Sequence, residues 1–264
     1  MSRWGRTARR IPRQFAVVWW LQLKMLAADA FSGILQIVWP LFFATTAFLM
    51  FRISGDHELV FYAGLGATVM GIWSSVAASS SSALQRERWL GTLELIVSAP
   101  MPFALVLSSI TTAMATIGLY SMVATLIWGW LVFGMSLHIV QPIAFGCAVV
   151  VLVFAIAMIG FLLSVTVVRY RSAWAIGSLL ECPVWLLCGL LVPVALLPVW
   201  VRPLSYVLPP TWGVRAMREA ASGTSPWVSL LVCAVLGGAY ALMAALIGRS
   251  LLKSARRQAT LALT

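Results

Sequence analysis

Acidic side chains are scarce in this 264-residue chain, seven against eighteen Lys and Arg, so each carboxylate is a place to look for chemistry. Two of them fall in one stretch, Glu87-Arg88-Trp89-Leu90-Gly91-Thr92-Leu93-Glu94, which continues to Pro100 between two long apolar segments. A stretch so placed is a short connection at a membrane face. Wound as a helix, it sets Glu87, Gly91 and Glu94 on one face by the i, i+4, i+7 rule, and Arg86, Leu90, Leu93 and Val97 on another. An acidic, glycine-notched face toward water is suited to docking a soluble partner. The plainer alternative is a helix that only caps two spans.

Glu181 is the only acidic residue deep in an apolar run. A carboxyl group in hydrocarbon is costly, so it faces the bundle interior, pairs with something, or is protonated. Three readings stand side by side: a recognition point for a cationic or hydroxyl-bearing substrate, a polar tether to a second subunit, or a neutral Glu bonded to a nearby Ser or to backbone beside Pro183.

Other chemistries lack their residues. No GxxxxGK[ST] phosphate loop occurs, and the only lysines, Lys24 and Lys253, lack the glycines that cradle phosphates. HExxH, GxSxG and a nucleophile beside a His are all missing. The chain is therefore expected to hydrolyse no nucleotide and to hold no cofactor or metal of its own. Cys147, Cys182, Cys188 and Cys233 sit in apolar runs without a CxxC or Cys/His cluster, which reads as small apolar packing residues. His57 and His138 read as solvated loop residues.

The elements that position these residues follow from composition. The chain is 62% hydrophobic and 9% charged, with a mean hydropathy of +0.98. A water-soluble fold of this length could not hide so much apolar surface, so the bilayer is its solvent. Backbone groups in hydrocarbon must pair internally, and continuous rather than alternating apolar runs select helices over a barrel. The expected fold is an all-α polytopic membrane protein with six spans, near 33–51, 59–84, 103–134, 142–168, 173–194 and 226–249. The second through fourth exceed the roughly 20 residues a crossing needs, so they tilt or project into water.

Placing both termini in the cytoplasm puts fourteen of the eighteen basic residues inside. Only Arg52, Arg202, Arg215 and Arg218 remain outside, which favours an N-in, C-in topology. The net charge of +11 is then a membrane-surface property, and nucleic acid is not expected as a partner. The basic start followed by Phe15–Leu26 superficially resembles a cleaved signal, but Gln22 and Lys24 interrupt its apolar core. An uncleaved helix on the cytoplasmic surface, starting near Pro12 with Trp19 and Trp20 at the interface, fits better.

Two further patterns stand out. Ala63, Ala67, Gly71, Ser75 and Ser79 recur every four residues, a stripe that lets another helix approach closely; the functional alternative is a hydroxyl-lined substrate path through Ser75 and Ser79. Gly237, Ala241 and Ala245 make a shorter stripe. Residues 193–225 carry Pro193, Pro198, Pro203, Pro209 and Pro210 among apolar and aromatic residues, which predicts short broken helices. Within this segment, Leu196–Leu208 is too short to span and too apolar to sit fully in water, so a re-entrant hairpin in the outer leaflet is expected. Thr211 is a candidate cap for its second helix, with Trp200, Tyr206 and Trp212 at the outer interface.

These residues together resemble the permease subunits of bacterial ABC type-2 exporters, the group that includes daunorubicin-resistance-type drug exporters and related lipid or polysaccharide exporters. Glu87-Arg88-x-x-Gly91-Thr92-Leu93-Glu94 with Pro100 is similar to the family's cytosolic loop after the second span. Leu197-Pro198, with Pro209-Pro210-Thr211 and Arg215, is similar to its extracellular region before the last span. The resemblance covers essentially the whole chain. It implies one permease domain over 1–264, with a basic interfacial segment at 1–32, a coupling helix at 85–101, a re-entrant hairpin at 195–222 and a basic tail at 250–264.

The resemblance also implies roles. Glu87, Arg88, Gly91, Thr92 and Glu94 would seat in a separate ATPase subunit, present in two copies, which binds the ATP and Mg. A second permease chain, identical or paralogous, would complete the path in a bacterial cytoplasmic membrane. Pro198, Trp200, Tyr206, Pro209, Pro210, Trp212 and Arg215 would form the outer gate hairpin. The cargo would be amphipathic: a drug, natural product, peptide or lipid. Two rivals are a gradient-driven carrier with Glu181 as its proton site and a lipid-modifying membrane enzyme, the second disfavoured by only two scattered histidines.

Overall fold

The computed structural model describes residues 3–28, 34, 38, 41–46, 48–49, 57–89, 103–134, 139–167, 174–191 and 193–258, with side chains over a narrower set. The helices are α1 (Arg3–Ala28), α2 (His57–Trp89), α3 (Phe103–Phe133), α4 (Pro142–Val167), α5 (Trp174–Leu187), a 3-10 turn (Val194–Leu196), α6 (Arg202–Val207), α7 (Pro209–Ser222) and α8 (Trp227–Gln258). Ahead of α2, residues 41–46 and 48–49 are also helical. Among the described residues there is no strand.

α4 is the hub. It packs against α8, α7, α3 and α2, and it is buried on nearly every side by Ala148, Leu152, Ala155, Ile156, Ala157 and their neighbours. A helix that is apolar all round belongs at the centre of a bundle or in lipid, and α4 takes the centre. α8 is peripheral. Ser229, Cys233, Gly237 and Ala244 form its narrow buried stripe, while Trp227, Leu231, Val235, Leu242 and Leu246 are exposed. A Cβ on Gly237 would come within 3.1 Å of the Ala155 Cα, so the missing side chain sets the α8–α4 distance.

The exposed surface of these helices is apolar, and that identifies the solvent. On α3, Tyr120, Val123, Ile127, Trp130 and Leu131 all face outward. Contiguous patches of this kind on several helices would aggregate in water and are satisfied in lipid. Among the described residues three helices are long and apolar enough to cross a membrane, Ala104–Phe133, Pro142–Thr166 and Trp227–Ser250, and Phe61–Ala77 is a shorter apolar helix within α2.

Several details depart from the sequence expectation. α5 ends at Leu187 rather than running on toward 194, because the backbone turns left-handed at Gly189 (φ 69°). α1 begins well before Pro12 and carries that proline inside the helix; Pro12 is exposed, so the ring displaces no packed neighbour. α1 also docks on protein. It packs along α3, with the Trp19 indole N–H donating to Thr116 Oγ1 at 3.2 Å and Val18 against the core.

The small-residue stripe of α2 is buried at Ala63, Ala67, Gly71 and Ser75, and Ala67 clusters with Ala44 and Phe48 of the preceding helical segment. The tightest approaches on α2 lie beside the stripe, however. A Cβ on Gly118 of α3 would come 2.9 Å from the Ile72 Cα, and one on Gly66 would overlap the Leu190 carbonyl oxygen at 1.7 Å.

Candidate functional site

The proline-rich segment after α5 builds a cluster of short helices. Pro203 near the start of α6, and Pro209 and Pro210 opening α7, occupy first-turn positions where a missing N–H costs nothing. Leu208, in extended conformation, is the N-cap of α7. Thr211 is therefore not the cap: it lies inside the first turn, and its hydroxyl donates to the Ser205 carbonyl at 2.6 Å, tying α7 back to α6. Arg202 donates to the carbonyls of Leu197 (3.0 Å) and Ala195 (2.7 Å), which holds the 3-10 turn against α6. Trp212 donates to the Tyr206 carbonyl at 2.9 Å, and their rings lie 5.8 Å apart. The Arg215 guanidinium lies 5.6 Å from the centre of the Trp212 ring and pairs with Glu219 at 2.8 Å, the single ion pair among the described residues. Pro198 and Trp200 are exposed, Trp200 at 81%. Pro209 and Pro210 are buried.

Arg218 joins this cluster to the bundle. Its guanidinium donates to the carbonyls of Gly189 (3.0 Å), Leu190 (3.2 Å) and Tyr62 (3.0 Å), and lies 3.2 Å over the Tyr62 ring. Gly189 and Leu190 follow the end of α5, where helix carbonyls lack partners and the dipole favours a cation. Burial pulls the pKa of the guanidinium down to about 10, with the Tyr62 hydroxyl acting in the opposite sense, so it remains protonated at neutral pH. The turn after α5 is thus held from two sides, by Arg218 of α7 and by the bare backbone of Gly66 on α2.

Deeper along α2, the Ser74 hydroxyl donates to Glu181 Oε1. The pairing follows from antiparallel packing: eight residues separate Gly66 from Ser74 on α2, and nine separate Leu190, in the turn after α5, from Glu181 on α5. Ser75, singled out by the stripe, is buried and spends its hydroxyl on the Gly71 carbonyl at 2.9 Å, so it does not join Glu181. Ser79 is helical, and its side chain lies outside the described set.

The acidic stretch is only partly in view. The backbone is helical through Trp89, so Glu87 and Arg88 form the last turn of α2 rather than the start of a separate helix. Gly91, Thr92 and Glu94 lie outside the described residues.

Sequence reasoning missed Arg218, Tyr62, Ser74 and Gly66. For Arg218 a signal existed. It shares a helical face with Thr211, Val214 and Ala221, all buried, so a basic residue there is a buried cation rather than an interfacial one. Ser74 and Gly66 lie beside the regular stripe, and nothing in the sequence separates them from their neighbours.

All-helical packing, apolar outer faces and a proline-broken segment before the last long helix define a polytopic membrane protein of the transporter kind. The chain belongs to the ABC-2 type transporter family, whose membrane domain matches residues 13–222. It is a transmembrane component of such a transporter, and this domain carries no nucleotide-binding site and no cofactor. Permeases of the family generally pair with an ATPase subunit. A search of curated proteins found no match.

Proposed function

We propose that this chain is the permease of an ATP-driven exporter, forming with a second permease chain the path for an amphipathic substrate, and driven through residues 85–101. The observation that carries this reading is the length of α2. Its 33 residues extend about 50 Å, against about 30 Å of hydrocarbon. Counted from Leu59, where its apolar run begins in the sequence, α2 reaches Glu87 after 28 residues, about 42 Å. A continuous helix of this kind carries Glu87 and Arg88 beyond the lipid, where a soluble ATPase can reach them. It also makes a lever rather than a hinge: a push on the 85–101 segment moves α2, and with it the α3, α4 and α5 that pack on it.

The same geometry is compatible with an N-in orientation. α3 has 31 residues, about 46 Å, leaving some 16 Å beyond the hydrocarbon. Thr116, the docking point of Trp19, lies thirteen residues or about 20 Å along α3 from Phe103. With the overhang on the cytoplasmic side, Trp19 falls at the inner interface, where its basic helix meets anionic headgroups. At the other end, the 195–222 segment is the outer gate, with Trp200, Tyr206 and Trp212 at the lipid boundary and Arg218 clasping it to α2 and the end of α5. Opening the exit then requires the turn at Gly189–Leu190 to part from Arg218 or to move with it.

Charge reversal at Glu94 is the test. Glu94→Lys is expected to abolish export and ATPase association while leaving membrane insertion and expression intact. Full export by Glu94→Lys would remove the coupling role from this segment.

A further inference from the structure

The Ser74–Glu181 pair joins two helices of the bundle, and both of its residues are partly exposed. Ser74 lies thirteen residues, about 20 Å, along α2 from Phe61, which sets the pair in the inner half of the hydrocarbon under the orientation proposed above. Glu181 is partly exposed, and it begins the α5 face that continues through Val184, Trp185 and Cys188 against the bundle. Oε1 accepts from Ser74, while Oε2 takes no hydrogen bond among the described residues, and no Lys or Arg among them pairs with this carboxyl group. One turn along the same face, Trp185 meets Phe43 edge-on at 4.8 Å, which brings aromatic side chains from two helices to this part of α5. The indole nitrogens of Trp185 and of Trp73, the neighbour of Ser74, are buried and find no hydrogen-bond partner among the described residues. Hydroxyls elsewhere in the bundle, such as Thr68, Ser109 and Thr125, satisfy themselves on carbonyls of their own helices; Ser74 reaches across to another helix.

The geometry points to Glu181, held by Ser74 and flanked by Trp185, as the recognition point for an amphipathic cation entering from the inner leaflet. A carboxyl group in hydrocarbon with no Lys or Arg beside it among the described residues is stabilised by a bound cation. An anion of the same size and shape would meet repulsion. The inference rests on the transporter reading and narrows its substrate class. Glu181 is a binding residue in this scheme, and Ser74 a positioning residue that fixes Oε1.

Binding of two matched ions to the full-length permease, purified with its ATPase in nanodiscs of neutral lipid and without nucleotide, tests this directly. Tetraphenylphosphonium and tetraphenylborate share size and shape and differ in sign. Saturable binding of the cation alone is expected, weakened about tenfold or more by Glu181→Gln, which is about 1.4 kcal/mol or more. Wild-type protein that binds both ions alike, or neither, would overturn the proposal. So would a Glu181→Gln complex that retains its ATPase and binds the cation with unchanged affinity. If Glu181→Gln does not assemble, Ser74→Ala reads the same site: weaker cation binding with normal assembly supports it, and unchanged affinity overturns it. Because binding is read without ATP, a permease that purifies without an ATPase yet binds the cation selectively would sink the coupling reading and leave this site standing.

Discussion

Arg218 shows how much one residue can hold in this protein. Its hydrogen bonds go to three backbone carbonyls on two other parts of the chain, and its charge is screened by a tyrosine ring instead of a carboxylate. A charged hydrogen bond contributes about 1.5–3 kcal/mol, so Arg218→Ala is expected to destabilise by about 2–3 kcal/mol and to lower the thermal unfolding midpoint in detergent by several degrees. Arg218→Lys should recover only part of this, because an ammonium lacks the planar fork that serves diverging carbonyls. An unchanged midpoint for Arg218→Ala would mean the clasp contributes nothing. The residue was visible in the sequence only as a charge on the outer side. Its burial follows from the helical face it shares with Val214 and Ala221, a pattern that appears once α7 is known to start at Pro209.

At the scale of elements, close approach is set by particular glycines rather than by the regular stripe. Gly66→Ala would drive a methyl group into the Leu190 carbonyl, which also accepts from Arg218. The expected result is loss of folded protein by size-exclusion profile. Gly238→Ala on α8 meets nothing within 4 Å and gains up to about 1 kcal/mol of helix propensity, so it should express normally. Equal behaviour of the two variants would show that the α2–α5 approach is looser than described. The long helices and the proline-broken segment could be read from hydropathy and proline spacing because both arise from local chain chemistry. The end of α5 could not, since Gly189 is one of nineteen glycines and only its backbone conformation marks it. The pairing of Ser74 with Glu181 was equally hidden: it joins residues 107 positions apart, and depends on how α2 and α5 pack. Of the acidic stretch, the sequence gives the pattern, and α2 adds that Glu87 and Arg88 ride on an unbroken helix.

For the whole molecule, the distribution of basic residues makes a topological prediction. In a cysteine-free background, Arg256→Cys should react with an impermeant maleimide only when the cytoplasmic side is open, and Trp200→Cys should react from the outside in intact cells. The reverse pattern would invert the orientation. Family membership accounts for the missing phosphate loop, since permeases of the family generally pair with an ATPase subunit; in the function proposed above, α2 is the element that receives its motion. The most direct test of this account is co-purification in mild detergent. The tagged permease is co-expressed with the genes beside its own, and both the bound subunits and the ATPase activity are measured for wild type and Glu94→Lys. The account predicts that wild-type protein brings down an ATPase with vanadate-sensitive hydrolysis, and that Glu94→Lys inserts normally but loses both. A permease that purifies alone under conditions that preserve complexes, or an ATPase retained at full activity by Glu94→Lys, would contradict it.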